Sequence, residues 1–187
     1  FTAGDVRVFQ EGLVPLLAAG KLGALLLQFA WQFQDSPEAR DRIRAIVDAF
    51  GEWAPLVIEV RHRSWLDAID FIAALKLGFC NIDQPQSSTS ITGTDLVTGP
   101  VGYVRLHGRN AKAWFSRSAG RDQKYDYLYR QAELLPWVEI LRSMEGRADA
   151  VYAITNNHFL GKGIANALQL MRLLGQVKTL AAFSHRK

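Results

Sequence analysis

The stretch 55–65, which reads PLVIEVRHRSW, decides how the rest of the chain is interpreted. It begins as an apolar, β-branched run and ends in a cluster of charges. Side chains alternate between the two faces of a strand, so Glu59 and Arg61 share one face while Ile58 and Val60 take the other. A run this apolar is typical of a strand that is buried on both faces, where charged groups need partners. The stretch therefore predicts a buried strand that delivers two opposite charges to a polar site.

The composition is typical of a globular domain. The 187 residues are 49% hydrophobic and 21% charged, which predicts a single domain, 1–187, with a sizeable core. The longest nearly apolar stretch, 22–31, is too short to span a bilayer, so no membrane partner is expected. The single cysteine, Cys80, rules out an internal disulfide. Because no secretory leader is visible either, we expect a cytoplasmic protein.

Helix-like and strand-like segments alternate along the chain. Apolar spacing and capping residues predict five helices, at 5–19, 36–51, 66–77, 131–144 and 161–174. Apolar, β-branched runs predict five strands, at 22–29, 56–61, 79–83, 101–107 and 150–155. The segments 84–100 and 108–129 lack a helical period and are predicted to be loops. Such alternation predicts a parallel sheet with right-handed crossovers.

Polar residues stand where each predicted strand runs into the following loop. They are Gln28, Glu59 with Arg61, Asp83, Arg105 with His107, and Asn156 with Asn157. A (β/α)8 barrel builds its site from such strand ends, whereas a dinucleotide-binding sheet would carry a Gly-x-Gly-x-x-Gly motif after its first strand, which is absent here. We therefore predict an α/β fold of the (β/α)8 TIM-barrel type. The chain starts at Phe1 without an initiator methionine, so this barrel is expected to be incomplete.

Several strings resemble the YecE-like family, also known as domain of unknown function 72. They are LGALLLQF at 22–29, IEVRHRSW at 58–65, GYVRLHGR at 102–109, YDYLY at 125–129 and ITNNHFLGKGIANALQL at 154–170. The resemblance runs across nearly the whole chain and implies a TIM-type barrel in which these segments are the fourth to eighth strand units. It implies no reaction, and it leaves cofactors unknown. It also implies that the first strands of the barrel, which should precede this chain, are missing.

Glu59, Asp83 and His107 are the candidate catalytic residues. A carboxyl or imidazole group whose pKa is tuned by burial can act as a general acid or base. Arg61 and Arg105 present forked guanidinium groups that suit a carboxylate or another anion. We expect all five side chains to converge at one mouth of the barrel. The alternative is a purely structural ion network across that mouth.

Further substrate contacts are predicted for Gln28, Trp65, Asn156 and Asn157. Trp65 is equally typical of a core residue, and the two asparagines are equally typical of a loop cap. Cys80 alternates away from the polar residues of its strand and is predicted to lie beneath the helices. No metal site is predicted, because the chain has no His-x-x-x-His or paired-cysteine spacing.

The loops near the end of the chain predict an anion site. Gly108, Gly161 and Gly163 would let backbone N–H groups approach a phosphate, and Lys162 would add positive charge at the start of a helix. The alternative is that these glycines only permit tight turns and close packing.

These patterns favour an enzyme that acts on a small polar or anionic substrate. A net charge of +4 leaves an alternative open, a module that binds single-stranded nucleic acid or senses a small molecule without catalysis. The basic and aromatic residues that favour nucleic acid are Arg109, Lys112, Arg117, Arg121 and Lys124, interleaved with Trp114 and Phe115. Open sheet edges at 22–29 and 150–155 would also make the chain self-associate.

Overall fold

A five-stranded parallel sheet organises the fold. The computed structural model describes residues 1–177, except for the side chain of Arg121, one of the residues of the predicted nucleic-acid face. The strands are β1 (Leu25–Gln28), β2 (Leu56–Glu59), β3 (Gly78–Asp83), β4 (Val101–Leu106) and β5 (Ala150–Thr155). They are hydrogen-bonded in chain order, and every neighbouring pair is parallel. The result is an α/β fold whose sheet curls into a half-barrel, which confirms the predicted alternation and parallel pairing.

Helices alternate with the strands along the chain. They are α1 (Ala3–Ala18), α2 (Pro37–Phe50), α3 (Ile69–Ala74), α4 (Ala111–Trp114), α5 (Arg121–Lys124), α6 (Gln131–Glu145) and α7 (Lys162–Leu173). The helix predicted at 66–77 is shorter than expected, because a 3₁₀ turn at Arg63–Leu66 precedes it. This turn is capped by His62, whose Nδ1 accepts the N–H of Ser64 at 3.3 Å. The loop predicted at 108–129 contains the short helices α4 and α5.

The start of α2 shows how local sequence determines local structure. Ser36 is the N-cap, and its hydroxyl accepts the N–H of Ala39 at 3.2 Å, which satisfies one of the free donors of the first turn. Pro37 occupies the first turn, where it needs no hydrogen-bond donor. Ile43, one apolar period further on, is fully buried against the sheet. These contacts confirm the helix start predicted from the sequence.

The two faces of the sheet carry separate apolar clusters. Ile58 packs with Ile43 of α2 in the outer cluster, which faces the helices. Val57, Cys80 and Ile82 belong to a second cluster, on the inner face. The prediction that Cys80 lies beneath the helices is therefore wrong.

The polar strand ends lie at one edge of this sheet, since all the strands are parallel. In the part of the chain that the structure describes, no helix combines the length and the apolar character needed to cross a membrane.

Candidate functional site

Strands β1, β2 and β4 bring four of the predicted residues together on the inner face. Glu59 lies opposite Gln28 in the register of β1 and β2, and its side chain is fully buried. Its Oε1 accepts hydrogen bonds from Arg61 Nε at 3.1 Å and Nη2 at 2.8 Å, and its Oε2 accepts from Arg105 Nη1. The same Nη1 donates to Gln28 Oε1 at 2.7 Å. We call these four residues and His107 the Glu59 cluster.

His107 completes the cluster from the end of β4. Its ring is fully buried, and its Nε2 lies 3.2 Å from Glu59 Oε1, at an angle too bent for a well-directed hydrogen bond. Its Nδ1 lies 3.0 Å from the side-chain amide nitrogen of Asn156. That nitrogen can only donate, so Nδ1 accepts and the ring proton sits on Nε2, facing Glu59. Both ring nitrogens of His107 therefore face protein groups.

The protonation states of the cluster follow from its charges. Burial alone would raise the pKa of Glu59, but His107, Arg61 and Arg105 outweigh burial and lower this pKa to about 2. Burial lowers the pKa of His107, against the opposing effect of Glu59. Near neutral pH Glu59 is thus ionised and His107 neutral. Two guanidinium groups then face one carboxylate, so the cluster carries an excess of one positive charge.

Asp83 does not join this cluster. It pairs in register with Leu106, whose side chain packs in the helix-facing core, so Asp83 points to the outer side of the sheet. There its Oδ2 accepts from Arg109 Nε at 2.8 Å. It also interacts with the hydroxyl group of Tyr129, whose pKa is raised by burial and by the Asp83 charge. The prediction that Asp83 converges with Glu59 is therefore wrong, because the register turns Asp83 to the opposite face.

A cavity of about 750 Å³ opens beside the Glu59 cluster. We call it the mouth cavity. Its lining comes from the loops that follow β1, β2, β3 and β4, and comprises Trp31, Gln32, Arg61, Gln84, Ser87, Ser88, Thr89, Ser90, Trp114, Phe115, Lys124 and Tyr125. Arg61 is the predicted site residue in this lining, whereas Glu59, Asp83 and His107 lie outside it.

Arg61 connects the Glu59 cluster to the mouth cavity. Its Nε and Nη2 face Glu59, while the guanidinium carbon lies 5.5 Å from the centre of the Trp114 ring. The edge of Tyr125 packs against Trp114 with ring centres 5.7 Å apart. These contacts hold Arg61 in one orientation at the lining of the mouth cavity.

Gln84 is a buried lining residue that was not singled out from the sequence. It follows β3 and shares the inward parity of Cys80 and Ile82. Its side chain is 4% exposed, and no residue within 1–177 donates a hydrogen bond to its Oε1. Burying an acceptor without a hydrogen-bond partner destabilises the folded state. A donor group on a bound ligand would remove this cost. The sequence signal for it was the alternation of β3, counted from Ile82 instead of from Asp83.

Two predicted substrate contacts lie away from the mouth cavity. Trp65 is fully buried, donates from Nε1 to the carbonyl of Phe33 at 2.8 Å and stacks on the Phe33 ring. Asn157 is also buried, and its side-chain nitrogen donates to the carbonyl of Tyr127 and to Asn166 Oδ1, each at 2.8 Å. The contacts of both residues are those of core and loop-capping groups.

The residues of the predicted anion site are engaged by protein groups. The N–H of Gly108 donates to the Tyr129 hydroxyl at 2.8 Å, and the ammonium group of Lys162 pairs with Asp126. Gly161 has a positive φ of 75° and opens α7. The carbonyl of Gly163 accepts from the hydroxyl of Thr155 at 2.8 Å. These contacts favour a structural role for the loop, and the anion site stays a prediction.

Metal ligands and the basic loop complete the survey of the site. Within residues 1–177, no three or more His, Cys, Asp and Glu side chains are grouped so as to hold a metal ion. Of the basic residues in the predicted nucleic-acid face, Lys124 lines the mouth cavity, whereas Arg109 pairs with Asp83 and Glu133. The basic and aromatic residues of this loop are therefore divided between two places.

Comparison with known proteins gives one family and one fold. The model of the family described as "Protein of unknown function DUF72" matches residues 2–186. The UPF0759 protein YunF of Bacillus subtilis (strain 168) is 29% identical over 177 residues, which are 89% of this chain and 62% of the relative. Among solved structures, a DUF72 family protein from Thermotoga maritima matches with a TM-score of 0.85 and 26% identity, over 92% of this chain and 65% of the other.

A DUF72 family protein from Enterococcus faecalis V583 matches equally well. Its TM-score is 0.85 at 28% identity, over 93% of this chain and 66% of the other. The chain thus spans less than two thirds of the length of these relatives.

Proposed function

Because the chain belongs to the DUF72 family, whose function is unknown, its role has to be argued from the site, and we propose that the mouth cavity binds a small anionic ligand through Arg61. The observation that carries this proposal is the charge of the lining. Within residues 1–177 the lining contains the cations Arg61 and Lys124 and no carboxylate side chain. A cavity of about 750 Å³ with a few convergent polar groups suits a small molecule.

The charge of the adjoining cluster supports the same proposal. The cluster holds one positive charge more than Glu59 neutralises, and Arg61 is the member of the cluster that reaches the cavity. A guanidinium group binds carboxylate and phosphate with directed, charge-assisted hydrogen bonds. Glu59 and Trp114 already hold Arg61 in place, so little side-chain entropy is lost when a ligand binds.

Binding is better supported than acid–base catalysis. A carboxylate with a pKa of about 2 is a weak base and stays ionised near neutral pH, so Glu59 is poorly matched to proton transfer. His107 has both ring nitrogens directed at protein groups. The function that we propose is therefore small-molecule binding or sensing, and catalytic roles for Glu59, Asp83 and His107 remain predictions.

Titration calorimetry with inorganic phosphate, sulfate and citrate tests the proposal. We expect at least one of these anions to bind, and Arg61→Gln to weaken that binding by about tenfold or more, which corresponds to the loss of a charge-assisted contact. Arg7→Gln is the matched control, since Arg7 is largely exposed on α1 and pairs with Glu11. Lys124→Gln, which leaves Glu59 untouched, should weaken binding less.

Two results would contradict the proposal. One is the absence of binding for all three anions in the natural protein. The other is an affinity that Arg61→Gln leaves unchanged while urea unfolding shows the variant to be folded.

We also propose that the half-barrel is part of a complete YecE-like (β/α)8 barrel and that residues 1–187 alone self-associate. β1 and β5 are the outer strands of the described sheet, and apolar side chains stand exposed near both, such as Phe9 at 53% and Ile164 at 70%. Exposed strand edges and apolar patches favour association. Sedimentation velocity should show a species larger than a monomer. A monomer that melts cooperatively would argue against this assembly.

A further inference from the structure

The side-chain oxygen of Gln84, which has no hydrogen-bond donor among the described residues, limits which ligands fit the mouth cavity. Gln84 is almost completely buried at the mouth cavity, and its Oε1 has no donor among the described residues. Its backbone carbonyl, in contrast, is already used by the side chain of Gln86 at 2.8 Å. A ligand that binds here has to supply an N–H or O–H group if Oε1 is to be satisfied.

The same side chain also carries an amide N–H₂ group beside its oxygen. An amide of this kind pairs with an edge that has a donor and an acceptor side by side, which is how Gln and Asn recognise the edge of a nucleobase. Sulfate carries no proton near neutral pH and has no such edge, so it would bind Arg61 and leave Gln84 unpaired.

Aromatic rings from two separate loops line the cavity and favour a planar ligand. Trp114 and Tyr125 come from the region after β4, and Trp31, which is 43% exposed, comes from the loop after β1. Stacking on such rings contributes about 1–3 kcal/mol per nucleobase and depends little on which base is bound. The lining carries no carboxylate in its described part, so a phosphate on the ligand would meet Arg61 and Lys124 without repulsion.

We infer that the mouth cavity binds a nucleoside monophosphate or a closely similar molecule, a planar nitrogen heterocycle that carries a phosphate. The heterocycle hydrogen-bonds to Gln84 and stacks on the aromatic lining, and the phosphate binds Arg61. This inference rests on the proposed anion site and adds Gln84 as the residue that determines specificity.

Calorimetry with adenosine and uridine 5′-monophosphates, ribose 5-phosphate, adenosine, inorganic phosphate and sulfate tests the inference. We expect at least one nucleotide to bind about tenfold or more tightly than ribose 5-phosphate or inorganic phosphate. Gln84→Met should remove that advantage and leave the affinity for sulfate, which has no donor for Gln84, unchanged. Gln34→Met is the matched control, because Gln34 is exposed and lies outside the lining.

Stability measurements separate this role from a structural one. Gln84→Met removes an unpaired buried oxygen, so its free energy of unfolding should equal or exceed that of the natural protein. Loss of nucleotide affinity together with undiminished stability would support the inference. Loss of stability in Gln84→Met with nucleotide affinity retained would overturn it.

Other outcomes of the same experiments distinguish the nucleotide site from the anion site on which it rests. Phosphate binding that depends on Arg61, with nucleotides no tighter than ribose 5-phosphate, would overturn the nucleotide and keep the anion site. Binding of short single-stranded DNA much more tightly than of either nucleotide would replace the mononucleotide with a nucleic-acid strand. If none of the probes binds, both the anion site and the nucleotide are wrong.

Discussion

Glu59 and Asp83 are carboxylates at the ends of neighbouring strands, yet their surroundings differ completely. Glu59 faces the inside of the half-barrel, has no exposed surface and is held by Arg61 and Arg105. Asp83 faces the outer side and pairs with Arg109, whose side chain is 40% exposed. The face of the sheet, and not the position at a strand end, decides which partners a carboxylate has: both carboxylates are buried, but Glu59 pairs with two largely buried guanidinium groups, whereas the partner of Asp83 reaches solvent.

We expect the largest loss of stability from Glu59→Gln, and a much smaller one from the corresponding change at Asp83. Glu59→Gln leaves two largely buried guanidinium groups without their counter-charge, which should lower the free energy of unfolding by about 3 kcal/mol or more. Asp83→Asn keeps an oxygen acceptor for a partner that water can also reach, so we expect a loss of about 1 kcal/mol. Urea unfolding of both variants measures the difference. Equal losses would mean that the number and burial of the guanidinium partners do not distinguish the two sites.

We expect the Glu59 cluster also to determine how the free energy of unfolding falls at acid pH. The pKa of Glu59 falls from 4.5 to about 2 on folding, so its contribution is present above pH 4.5 and is lost as the pH drops from there towards 2. This contribution is on the order of 3 kcal/mol. His107 acts in the same direction, because its pKa is lowered from 6.5 and the unfolded chain takes up its proton first as the pH falls.

Unfolding measured from pH 7 to pH 3 checks both contributions. His107→Gln should remove most of the loss between pH 6.5 and 4.5. Glu59→Gln should flatten the curve below pH 4.5. A natural protein whose stability is constant down to pH 3 would contradict the assigned protonation states.

The difference between Glu59 and Asp83 also shows what sequence alone can decide. In strand β2 the sequence itself shows which residues share a face, because Glu59 and Arg61 are both charged and two residues apart. In strand β3 it does not, since all six residues are buried and hydrophobicity distinguishes neither face. The polar residues Asn81 and Asp83 predict the wrong inner face for this strand, and the same prediction misplaces Cys80. Only the register with β4 shows which face each residue takes.

The mouth cavity is harder to predict from the sequence than the strands are. Its lining comes from separate loops, and loop conformation carries no periodicity that would place Trp31 and Trp114 in the lining of the same cavity. The chain order of helices and strands was predictable because their periods are local. Gln84 was predictable in principle, because it continues the inward alternation of Ile82 past the end of β3. Arg61 was predicted from the alternation of β2, and the remaining lining residues could be brought together only by the folded loops.

The smallest expected effect concerns the loop before α7, the second place where a positive charge was predicted to meet an anion. Lys162 differs from Arg61 in that it lies outside the lining of the mouth cavity and pairs with a partly exposed carboxylate: the side chains of Lys162 and Asp126 are 30% and 35% exposed, and Phe159 is the ring beside the ammonium group, at 5.9 Å. Lys162→Ala should therefore cost no more than about 1 kcal/mol, the usual limit for a surface ion pair. Because the N–H of Gly108 is already bound to Tyr129, phosphate should stabilise Lys162→Ala as much as the natural protein, whereas Arg61→Gln should lose that stabilisation. Thermal melts with and without phosphate measure both variants. A phosphate shift that disappears in Lys162→Ala and persists in Arg61→Gln would reverse this order, placing the anion at the helix and not in the mouth cavity.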